Sequence, residues 1–114
     1  MILAFQDKKF EKECQDEKLL RRHHGAQRAK LLQRRLAQLR AAPTLAALWP
    51  PYSGPARCHE LSSNLRGFFS VDLDHPYRLL FQPNQNPVPQ RPEGGIDWTQ
   101  ITALKILRVE DTHE

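Results

Sequence analysis

Residues 58–81 read CHELSSNLRGFFSVDLDHPYRLLF, and this stretch decides the fold. Phe69, Val71 and Leu73 alternate with Ser70 and Asp72, Asp74-His75-Pro76 interrupts the alternation, and Tyr77 to Phe81 resumes a strand-like run. The pattern predicts a β-hairpin with a short connection. Arg78 stands between apolar neighbours in its second strand, where a guanidinium either faces out of the sheet or meets a partner or ligand.

Upstream of the hairpin, Ile2 to Phe5 predicts a short strand, and Asp7 is placed to cap a helix beginning at Lys8 and ending at Gly25. A second helix is expected from Ala26 to Ala41, rich in strong helix formers, with Ala29, Leu32, Leu36 and Leu39 on one face. Leu45 to Trp49 predicts one further helical turn before Pro50-Pro51. Strands are expected at Arg57 to Leu61, Gly67 to Leu73 and Tyr77 to Gln82. Residues Pro83 to Gly95, with four prolines and two glycines, read as an excursion between strands. Ile101 to Val109 carries too many apolar residues for a one-sided strand and predicts a central one, buried on both faces. The whole is an α+β domain spanning 1–114, with two N-terminal helices on a small, mostly antiparallel sheet.

The chain has 114 residues, 39% hydrophobic and 26% charged, with no apolar run of the roughly 20 residues that a membrane span needs. Its net charge of +4 is uneven. Residues 1 to 42 hold 11 Lys and Arg against 5 Asp and Glu, whereas residues 43 to 114 hold 6 against 8. A basic block of this kind suits a phosphate backbone or an acidic protein partner, or is simply a solvated helical face. Cys14 and Cys58 are too few and too far apart for a disulfide framework or a zinc set, so free thiols and a cytoplasmic location are expected, with no cofactor. The segment MILAFQDKKF lacks the features of a secretion signal. His59 reads as a satisfied structural histidine, and Trp49, Tyr52 and Trp98 as packing or partner-contact residues.

The order of elements, together with His59-Glu60-Leu61, Gly67, Tyr77-Arg78-Leu79 and the closing Asp111-Thr112-His113, resembles the RelE/ParE superfamily of bacterial toxins, in particular its HigB-like branch. The resemblance implies a RelE-like fold and a type II toxin that cleaves messenger RNA on the ribosome. It also implies silencing by a cognate helix-turn-helix antitoxin, through which alone operator DNA would be met. By position in that pattern Arg78 grips phosphate, His113 transfers a proton and Asp111 orients or charge-stabilises the imidazole. Arg66 and Asn64 in the turn before Gly67, Tyr77 beside Arg78, and Arg34 and Arg35 on the basic helix are the accompanying RNA-binding candidates. The alternative for Arg78 is a structural salt bridge to Asp72 or Asp74 across the hairpin.

The chain departs from the pattern at three places. Ser62-Ser63 stands where a Lys is usual, Pro76 where an Asn is usual and Thr112 where a Tyr is usual. Ser brings no positive charge, Pro donates no backbone hydrogen bond and Thr offers no ring for a base to stack on. Two further readings accompany the first: a ParE-like, non-enzymatic inhibitor of DNA gyrase, and a degenerate toxin that keeps only antitoxin binding.

Overall fold

The computed structural model describes residues 1–111, so Thr112 and His113 lie outside the described residues. The elements are β1 (Ile2–Phe5), α1 (Lys8–Cys14), α2 (Glu17–His24), α3 (Ala26–Ala41), β2 (His59–Glu60), β3 (Phe69–Asp72), β4 (Tyr77–Pro83) and β5 (Ala103–Asp111). Single 3-10 turns lie at Leu45–Leu48, Ser63–Leu65 and Trp98–Gln100. No helix among the described residues is long and apolar enough to cross a membrane.

One expected helix is two. Asp7 Oδ1 accepts from the Lys9 amide at 2.9 Å, as expected of an N-cap. Asp16 then does the same for a second helix, accepting from the amides of Lys18 at 3.0 Å and Leu19 at 3.3 Å. The backbone turns extended at Asp16, and Gly25, at φ 81°, separates α2 from α3. Three helices therefore pack on the sheet in place of the two expected.

The sheet runs β1-β5-β4-β3-β2, with β1 parallel to β5 and every other neighbour antiparallel. β5 sits inside the sheet; Leu104, Ile106 and Leu107 are buried, as the apolar density of this stretch foretold, whereas Arg108 and Asp111 are exposed. Leu104 and Ile106 join the main core, while Leu107 joins a second cluster with Leu61 and Leu80. The switch occurs at a β-bulge: Phe81 faces Ile106 but Leu80 faces Arg108, leaving Leu107 as the extra residue. The helices cover one face, where Ala29, Leu32, Leu36 and Leu39 of α3 meet Phe69, Val71, Leu79 and Phe81. On the opposite face Leu65 and Phe68 cover only Leu61, Leu80 and Leu107, and polar side chains occupy the rest.

Arg35 joins the layers. It is 5% exposed, and its guanidinium donates from Nε to the Asp72 carbonyl at 2.7 Å and from Nη2 to the Pro55 carbonyl at 3.3 Å. Burial lowers its pKa from the ordinary Arg value, Arg34 adding to the effect and Asp72 opposing it. Truncation would leave two carbonyls without their donor and a void under α3. Arg35→Ala is expected to lose about 3 kcal/mol of stability, read by urea unfolding; a loss under about 1 kcal/mol would show that the guanidinium is not the link.

Candidate functional site on the helix-free face of the sheet

Residues directly opposite in a sheet share a face. The register therefore places Glu110, Arg78 and Asp72 in one row across β5, β4 and β3, and Arg108, Leu80, Ser70 and His59 in the next. Both rows lie on the face that the helices leave uncovered, because Leu79 and Val71, between these positions, point into the main core.

Asp72, at the β3 end of the first row, is where its charges converge. Its Oδ2 is 3.1 Å from Arg57 Nε and its Oδ1 is 3.4 Å from Arg78 Nε. Of the two acidic residues that the hairpin offered to Arg78, Asp72 is thus the partner. Arg78 is mostly buried, with its side chain 20% exposed, while that of Arg57 is 48% exposed. Glu110, opposite Arg78, pairs instead with Arg108. The arrangement gathers two guanidiniums around one carboxylate, an assembly that an oxyanion of similar size can also engage.

In the second row His59 is buried and its Nδ1 is 2.8 Å from the Arg57 carbonyl. The Tyr52 ring stacks on the imidazole, centroids 3.9 Å apart and planes 19° from parallel. The Arg57 guanidinium lies 5.0 Å from the same ring centroid. Tyr52 (φ 67°) and Arg57 (φ 47°) both adopt left-handed backbone, which costs a side-chain-bearing residue about 1–3 kcal/mol. Ser70, paired with His59 across the strands, has a buried hydroxyl with no hydrogen-bond partner.

The other expected residues scatter. Asn64 and Arg66 are exposed on the 61–68 segment that crosses this face. Arg66 lines an open groove of ≈ 640 Å³ with Glu60, Ser62, Ser63 and Gly67. Asp111 is exposed and stands opposite Tyr77, so Glu110 and not Asp111 shares the face of Arg78. Tyr77 turns to the helix side, where Arg28 caps its ring at 3.7 Å. Arg34 is exposed on α3. Arg35 is the correction: expected to meet RNA, it is buried with its donors used inside the fold. Arg28 likewise leaves the basic surface, forming a two-pronged pair with Asp74 at 2.9 and 3.1 Å.

Sequence reasoning missed Arg57 and gave Tyr52 no role beyond packing or contact. The polar alternation of Ser70 and Asp72 was the available signal, because it marks a face with charged neighbours to satisfy. Burial pushes the thiol pKa of both Cys14 and Cys58 up to about 12, which leaves them poor nucleophiles. Among the described residues no group of three or more His, Cys, Asp or Glu is placed to hold a metal ion.

Solved structures of bacterial toxins share this fold. The YoeB-YefM complex from Staphylococcus aureus contains a chain 18% identical, with a TM-score of 0.54 over 100% of this chain and 98% of that one. The YoeB/ParE toxin from Agrobacterium tumefaciens is 11% identical, with a TM-score of 0.53 over 99% of this chain and 100% of its own. A YoeB dimer from Staphylococcus aureus is 16% identical, with a TM-score of 0.50 over 100% and 98%. These likenesses establish the RelE-like α+β fold that the sequence led us to expect. No protein-family model and no curated protein matches the chain.

The Arg28–Asp74 pair has a pH signature. The hydrogen bond from Arg28 is the main cause that holds the Asp74 carboxyl below its ordinary value. A lowered folded pKa contributes stability fully present above the unfolded value, near 4, and lost as pH falls through the folded one. Arg28→Gln is expected to cost about 1 kcal/mol at pH 7 and less at about pH 3, below the unfolded value, by urea unfolding at both. An equal loss at both pH values would assign the effect to packing on Tyr77.

Proposed function

We propose that this chain is the toxin of a type II toxin–antitoxin pair, of the HigB-like branch of the RelE/ParE superfamily, acting in the cytoplasm as a ribosome-dependent messenger RNA endoribonuclease. A cognate helix-turn-helix antitoxin would silence it and carry any contact with operator DNA. The observation that carries the reading is the convergence of Arg57 and Arg78 on Asp72, on the sheet face that the helices leave open. The RelE-like fold and the resemblance in Tyr77-Arg78-Leu79 support it.

Cleavage by attack of the 2′-hydroxyl on the adjacent phosphate needs a base, an acid for the leaving oxygen and positive charge on the pentavalent transition state. In this reading Arg78 supplies the charge, with Arg57 beside it, and the phosphate competes with the Asp72 carboxylate for both. His113 moves the proton, imidazole being the side chain suited to both giving and taking one near neutrality. Asp111 is the residue that would orient His113. Arg66, Asn64 and Arg34 supply contacts to the RNA backbone, with Tyr77 at the margin because Arg28 already covers its ring. Arg21, Arg22, Lys30 and Arg40 extend the exposed basic surface of α2 and α3 toward ribosomal RNA or an acidic antitoxin tail.

One observation favours a second reading, a ParE-like inhibitor of DNA gyrase without ribonuclease chemistry. Arg78 is already engaged by Asp72, and Ser62 and Pro76 stand where the nuclease pattern has Lys and Asn.

Primer extension on a defined messenger, translated in a purified system, separates the two. Ribosome-dependent cuts are expected with this chain, reduced about 100-fold or more in Arg78→Ala and in His113→Ala, each variant retaining the unfolding midpoint of the parent. Intact messenger alongside blocked gyrase supercoiling would replace the first reading by the second.

A further inference from the structure

Tyr52 is a large aromatic that meets the Arg57–Asp72–Arg78 cluster through Arg57. Nearly half of it, 48%, is exposed, yet it is not loose. Its ring rests on the buried imidazole of His59 in parallel-stacking geometry. Its amide donates to the Cys58 carbonyl at 3.1 Å, and the adjoining Ser53 hydroxyl donates to the Leu48 carbonyl at 3.2 Å. The left-handed backbone at Tyr52 and Arg57 brings both side chains to this spot, and strain of that kind collects where geometry serves binding.

Arg57 ties the ring to the charge cluster. The same guanidinium lies against the Tyr52 ring and reaches the Asp72 carboxylate at 3.1 Å. A half-exposed aromatic residue and a pair of guanidiniums are therefore bridged by one side chain. That pairing matches a nucleotide, whose planar base and phosphate are linked at short range, and it suits a single strand, whose bases are free to leave their own stack. Resting on the ribonuclease reading above, we propose that Tyr52 is a platform on which a base of single-stranded RNA stacks while its phosphate faces Arg57 and Arg78. The loop before β2 thereby supplies the ring that Thr112 does not.

The test uses binding and not cleavage. The probe is a fluorescein-labelled single-stranded RNA hexamer with 2′-O-methyl riboses, which cannot be cut through its own 2′-oxygens, read by anisotropy with the purified chain at fixed salt. Tyr52→Leu keeps an apolar cover over His59 without an aromatic face, and is expected to weaken binding roughly five- to hundredfold. Tyr52→Phe and Tyr52→Trp should hold affinity within about threefold of the parent or better. An RNA duplex of the same sequence should show no dependence on Tyr52. Melting temperatures of all variants check that the fold is kept, and should Tyr52→Leu fail to fold, the comparison of Tyr52→Trp with Tyr52→His takes its place. Equal affinity of Tyr52→Leu and the parent, or no binding by the parent, would overturn the platform. Cleavage that persists with Tyr52-independent binding sinks this inference alone. Tyr52-dependent binding without any cleavage sinks the ribonuclease reading and leaves the platform standing.

Discussion

Asp72 is fixed from both sides of the sheet, and the arrangement of the candidate site depends on it. Its backbone carbonyl accepts from the buried Arg35 of α3, its amide donates to the Ala56 carbonyl at 2.7 Å, and its carboxylate lies between Arg57 and Arg78 on the open face. Arg35 holds the Pro55 carbonyl with the same guanidinium. One cation in the core therefore sets the height of the loop that carries Tyr52 and Arg57 relative to the strands that carry Asp72 and Arg78. A buried guanidinium is costly unless its donors are used, and here backbone carbonyls use them, which makes the link directional as well as strong.

The β-bulge is the second constraint. Because Leu107 is an extra residue opposite the Leu80–Phe81 step, the strand changes the face it presents part-way along its length. Leu104 and Ile106 feed the helix side, and from Arg108 on the alternation brings Arg108 and Glu110 to the open side. A β5 without the bulge would set Val109 and Asp111 beside Arg78. The residue facing Arg78 is thus decided by a backbone irregularity and not by spacing in the sequence.

This separates what was legible from what was not. Strands with clean alternation, Phe69–Asp72 and the strand from Tyr77, were visible because period two is a strong local signal. Helix α3 was visible through its composition. The break at Gln15-Asp16 was hidden because an Asp within a polar helix stretch looks like surface, and only its bond to the Lys18 amide identifies it as a cap. The fates of Arg28 and Arg35 could have been seen: they sit four residues before and three after Leu32, on the face that also holds Leu39. Reading Arg35 as a surface cation overlooks that wheel position. The alternation of Ser70 and Asp72 signals that a charged neighbour is needed, but not that Arg57 and Tyr52 supply it, since left-handed backbone at a Tyr and an Arg has no marker in composition.

The charge balance around Asp72 bears on how such a face can meet an anion. Two guanidiniums held close repel, and the intervening carboxylate offsets that repulsion while fixing where they point. The cluster of Arg57, Asp72 and Arg78 keeps one net positive charge, equal and opposite to that of a single phosphodiester. In the ribonuclease reading an incoming phosphate would meet guanidiniums already placed, with little reorganisation left to cost it affinity. It would still have to draw them from the Asp72 carboxylate, where Arg57 Nε lies 3.1 Å from Oδ2 and Arg78 Nε 3.4 Å from Oδ1. The pairing orders both guanidiniums on the open face, and an anion that takes them must outcompete a carboxylate already in contact.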